Sequence, residues 1–174
     1  MKNLKHLFLT FGIIFILIGA LGISNISFFS KYIEYIISGV LFVNGIYHLV
    51  YCLHKRKDPY FHIGLVLLEG LMELISVGII LFNTFSSEFF FTSYIGALLC
   101  AKGLILVLGR DSKFTSWDDT DKKTKVIVIV KGLLHFLFGS LIIILPLVTN
   151  GAVYPVFGWY ILFLGIHIIS NKKF

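Results

Sequence analysis

Five ionisable side chains stand inside long apolar runs: Glu69, Glu73, Lys102, Lys131 and His135. Glu69 and Glu73 are four residues apart, so on a helix they share one face with His62 and Ser76. A charge at the centre of a membrane helix costs roughly 2.5 to 3.5 kcal/mol on insertion scales, while each good apolar residue returns roughly 0.3 to 0.6. The run holding both glutamates is therefore near break-even alone and needs partners. Two carboxylates and two ammonium groups sum to zero, which predicts a buried ion-pair network. The same residues could also move protons or a small ion, because intramembrane charges commonly mark transport paths. Two close carboxylates resist ionising together, and histidine is the side chain that exchanges a proton near neutral pH.

Other chemistry finds no support in the spacing. His48, His62, His135 and His167 fall on four separate apolar runs without local ligand spacing, so no metal site is expected. There is no phosphate loop, no nucleophile elbow and no Ser or Cys with a base nearby in sequence, so neither a catalytic residue nor a cofactor is expected. Cys52 and Cys100 both lie in apolar stretches and read as buried thiols rather than a disulfide.

The elements that must carry these charges follow from composition. Of 174 residues, 57% are hydrophobic and 14% charged, and the mean hydropathy is +0.93, too apolar for a soluble fold. At roughly 20 residues per span, the chain has room for about six spans. Apolar runs place helices near Leu7 to Ser24, Tyr32 to Leu53, Tyr60 to Phe82, Phe89 to Gly109, Val126 to Leu145 and Ala152 to Ser170. The expected architecture is an all-α polytopic membrane bundle of six transmembrane helices, a single domain over residues 1–174.

The net charge of +6 is a topology signal rather than a nucleic-acid footprint. Lys2, Lys5, Lys55, Arg56, Lys57, Arg110, Lys113, Lys122, Lys123, Lys125, Lys172 and Lys173 fall on one side and Lys31 alone on the other. The positive-inside rule puts both termini in the cytoplasm and suggests the plasma membrane. A cleaved signal peptide is the weaker reading of the first run, which is longer than a signal core and belongs to an internal repeat. Phe28, Phe29, Phe89, Phe90, Phe91 and Tyr154 are expected to anchor the outer interface. Trp117 with Asp118, Asp119 and Asp121 reads as a solvated entry to helix five.

That repeat is written in glycine. Gly12, Gly70 and Gly132 mark helices one, three and five, and Gly45, Gly103 and Gly165 mark two, four and six, both series stepping by about 58 and then about 62 residues. This predicts three hairpins, near residues 1–58, 59–120 and 121–174. Seven-residue pairs add Gly19, Ser38, Gly96, Gly139 and Gly158 on the same helix faces. Small residues let membrane helices approach closely, so these are expected to be packing positions. Glu69 then aligns with Lys131 and Phe11, and Glu73 with His135 and Phe15. On helix two, Glu34, Ser38, Gly45, His48 and Cys52 form a polar stripe with Asn44 beside it.

Gly39 to Gly45 followed by the basic turn His54 to Lys57, and Lys131 to Pro146 ahead of Gly158 and Gly165, resemble the HdeD-like acid-resistance membrane proteins. The resemblance implies six helices in short hairpin repeats and a non-enzymatic, stress-associated role. Competing expectations are a small-solute or proton-coupled transporter, including the substrate-capture subunit of a larger importer, and an assembly partner. The expected partners are the lipid bilayer and either another copy of the chain or another membrane protein.

Overall fold

A computed structural model describes residues 2–55, 63–82, 87–108, 122–149 and 153–170. They form α1 (Lys2–Ser24), α2 (Ile26–Lys55), α3 (Ile63–Phe82), α4 (Glu88–Leu108), α5 (Lys122–Val148) and α6 (Val153–Ser170), with no strand among the described residues. By length and composition α1, α2, α4, α5 and α6 each hold a stretch able to cross a membrane, and α3 adds 20 residues with both glutamates. The chain is an all-α, multi-pass membrane protein. His62, Tyr60, Gly109, Ala152, Trp117, the acidic run Asp118 to Asp121 and the basic residues Arg56, Lys57, Arg110, Lys113, Lys172 and Lys173 lie outside the described residues.

α1 and α5 start earlier than expected, at Lys2 and Lys122 rather than Leu7 and Val126, and two further helix ends differ for local reasons. α2 begins at Ile26 rather than Tyr32 because Asn25 serves both neighbours. Its N–H bonds the Leu21 carbonyl at 2.8 Å, closing α1, and its side-chain oxygen accepts the Phe28 N–H at 3.1 Å, capping α2. α5 runs through Pro146 to Val148. Proline removes the donor that would serve the Ile142 carbonyl, yet the helix carries on past it, and Thr149 N–H still reaches the Leu145 carbonyl at 2.8 Å.

The closest helix pairs are α1 with α6, α4 with α5, and α2 with α3. Close packing thus joins the second helix of one expected hairpin to the first of the next, and the last to the first. Glycine is the reason. A methyl built on Gly19 would lie 2.6 Å from the Gly158 carbonyl oxygen, one on Gly103 2.6 Å from that of Gly132, and one on Gly139 2.6 Å from that of Gly96. Gly12 meets Gly165 in the same way. The two glycine series therefore face each other. Between α2 and α3 there is one such crossing, Gly45 against Gly70, and it is looser: their built methyls lie 3.1 and 3.2 Å from the opposing carbonyls.

Inside the ring of helices, Ile33, Ile37, Leu41, Phe91, Ile95, Leu99, Val153, Phe157 and Ile161 build an apolar core. Phe29 and Phe91 belong to that core rather than to the interface, because α2 starts early and turns Phe29 inward against Gly22. Phe28, Phe89 and Phe90 are exposed, as anchors should be. Cys52 is buried and Cys100 half-buried, and neither is in a disulfide.

Candidate functional site

The polar residues of the interior gather where α2, α3 and α4 meet, with α5 at the edge. The Gly45 and Gly70 crossing lets α2 and α3 approach until the His48 Cβ is 3.0 Å from a methyl built on Gly70. That closeness brings His48 Nδ1 to 2.9 Å from Glu73 Oε2 and His48 Nε2 to 3.7 Å from Glu69 Oε2. A carboxylate only accepts, so Nδ1 carries the proton and donates it to Glu73. Asn44, one turn before His48, donates its amide to Glu73 Oε1.

Lys102 completes the cluster from α4. Its ammonium donates to Glu73 Oε1 and lies 3.2 Å from Glu69 Oε1. Lys131 of α5 stands 3.9 Å from Glu69 Oε1, with its side chain 15% exposed. Glu73 is fully buried and Lys102 1% exposed. In such a place each lost contact leaves a charge without solvent to replace it. Glu69 and Glu73 with Lys102 and Lys131 balance in formal charge, and His48 and Asn44 supply further hydrogen bonds to Glu73.

Of the five charges singled out in the sequence, four therefore meet. His135 does not join them. Its Nδ1 donates to the Lys131 carbonyl at 2.8 Å, and its ring packs edge-on against Tyr160 and Phe163 at 5.8 Å each. Its Nε2 finds no hydrogen-bond partner among the described residues. Glu73 pairs with Lys102, one level from the His135 expected of it, because depth along a helix says nothing about rotation around it. Asn44 and His48 are the members that spacing alone left without partners.

His48, Glu69 and Glu73 offer donor atoms within 4.8 Å of one another, a set a divalent cation could use. The Lys102 ammonium, in contact with both carboxylates, supplies the positive charge there instead. A metal would have to displace it against direct repulsion. Three of the ten packing glycines adjoin this chemistry, Gly70 beside Glu69, Gly103 beside Lys102 and Gly132 beside Lys131, so the Gly45 with Gly70 and Gly103 with Gly132 crossings set the positions of three of the charges.

No curated protein and no solved structure matches the chain. Residues 10–83, from α1 through the end of α3, match the model of a family described as a short repeat of unknown function (DUF308).

Proposed function

We propose that the chain is an HdeD-like, non-enzymatic protein of the plasma membrane, with both termini cytoplasmic, whose buried charges hold α2, α3 and α4 together. The DUF308 match supports the kinship, since that family contains HdeD-like membrane proteins. A stress-associated role rests on the same resemblance. The observation that carries the structural reading is Lys102 seated against both Glu73 and Glu69 while His48 and Asn44 complete Glu73. α3 carries two glutamates in an otherwise apolar helix, and this cluster binds both of them from the neighbouring helices. The buried Leu41 and Ile37 on α2 and Leu99 and Ile95 on α4 stand one and two turns before Asn44 and Lys102, an apolar fill beside the cluster that favours a clamp over a conduit.

The test is Glu69→Gln, measured for thermal stability in detergent and for pH-dependent flux in proteoliposomes. The clamp reading expects lost stability and no flux in either protein. An intact fold with a lost flux would overturn it in favour of the transporter reading, for which the cavity beside Glu69 is the supporting observation.

A further inference from the structure

The chain neighbours α3 and α4 pack against each other far less closely than the three glycine-joined pairs. Between them lies a cavity of about 40 Å³, counted as space open to the centre of a water molecule, lined by Val66, Glu69, Met72, Lys102, Ile105 and Leu106. That exceeds the roughly 10 to 15 Å³ needed to hold one water. Val66, Met72, Ile105 and Leu106 are half-exposed, and beside them Leu67, Leu68, Leu71 and Leu104 are exposed. In a membrane protein such a rim faces acyl chains.

The glycine register explains why the opening occurs here. Stepping back by the offset between Gly12 and Gly70 places Phe8 at the position of Val66 and Tyr47 at that of Ile105. In the first hairpin these two rings meet edge to face at 4.9 Å and both are buried, closing the equivalent gap between α1 and α2. In the second hairpin, a valine and an isoleucine leave it open.

At its floor are unused hydrogen-bonding positions. Glu69 Oε1 is buried yet finds no hydrogen-bond partner among the described residues; Lys102 is near enough for an ion pair but misaligned for a hydrogen bond to it. Lys102 has three N–H donors and touches two carboxylate oxygens. A group filling this place must donate to Glu69 and accept from Lys102. It must also be uncharged, because the two carboxylates and two ammonium groups already balance. A hydroxyl meets all three conditions. We infer that the crevice between α3 and α4 is a lateral binding site for a membrane-dissolved amphiphile with an uncharged hydroxyl head, its hydroxyl set against both Glu69 and Lys102 from the crevice side and its apolar tail leaving past Val66, Met72, Ile105 and Leu106.

This site rests on the clamp reading, because the clamp holds Glu69 and Lys102 in place, while filling the crevice leaves every ion pair intact. The probe is a diazirine-bearing hexadecanol analogue, photolysed with the full chain in lipid nanodiscs and mapped by peptide mass spectrometry. Labelling should fall on the α3 and α4 rim and be competed by hexadecanol about tenfold better than by its methyl ether, which lacks the donor for Glu69. Moving the aromatic plug into the second hairpin, with Val66→Phe and Ile105→Tyr, should abolish rim labelling while thermal stability is kept. Equal competition by alcohol and ether, or undiminished rim labelling in the folded plugged variant, would overturn the site and leave ordinary lipid contact. Should the plugged variant fail to fold, the competition on the unaltered chain decides alone.

Discussion

Gly103→Ala is the substitution whose cost can be worked most directly from packing. The new methyl would lie 2.6 Å from the Gly132 carbonyl oxygen, 2.7 Å from the Phe136 nitrogen and 2.9 Å from the Phe136 Cβ. Two of these three atoms are backbone, so no rotamer change relieves them and α4 must back away from α5 by most of an ångström. Overpacking of this kind costs about 1 to 3 kcal/mol, and loss of close contact along the crossing adds to it. Better helix propensity returns at most about 1 kcal/mol. Gly78→Ala supplies the control, because nothing lies within 4 Å of a methyl there and only the propensity gain remains. The propensity gain is common to both, so the two variants should differ by the packing cost, about 1 to 3 kcal/mol, read from denaturant unfolding in mixed micelles followed by circular dichroism. Gly78→Ala should be equal to or more stable than the parent. Equal stability of Gly103→Ala and Gly78→Ala would refute the account of glycine packing.

Lys102→Met should cost about 3 to 5 kcal/mol, since it strips a buried pair of its cation, whereas Lys131→Met, at 3.9 Å and partly exposed, should cost about 1 kcal/mol or less; the same unfolding titration ranks them. Cysteines placed at Ser112 and Ser86 test orientation: with both termini cytoplasmic, an impermeant maleimide added outside intact cells should label Ser86→Cys and spare Ser112→Cys. The reverse pattern would invert the topology.

The sequence made the helices and the packing glycines legible, because apolar length and the seven-residue recurrence of Gly12 with Gly19, or Gly96 with Gly103, are properties of single helices. Which helix each glycine meets is a property of pairs. The crossings of Gly103 with Gly132 and of Gly19 with Gly158 run between hairpins rather than within them, and no single-helix period encodes that. The meeting of Glu69 with Lys102 could be reached by counting depth, since both lie near the same level. The placing of His135 shows the limit: counting depth does not fix rotation about the helix, and its ring is turned to Tyr160 and Phe163. His48 and Asn44 had a usable signal. They flank Gly45 on one helix as Glu69 and Glu73 flank Gly70 on another, and two helices that cross at glycine bring the flanking residues together.

The central claim is that Glu73 and Lys102 are energetically one unit across α3 and α4. A double-mutant cycle over Glu73→Gln, Lys102→Met and the pair measures this directly by reversible unfolding in micelles. Each single change should be strongly destabilising, and the double variant should be no worse than the more damaging single one, giving a coupling of about 2 to 3 kcal/mol. Additive effects, with a coupling within about 0.5 kcal/mol of zero, would contradict the account.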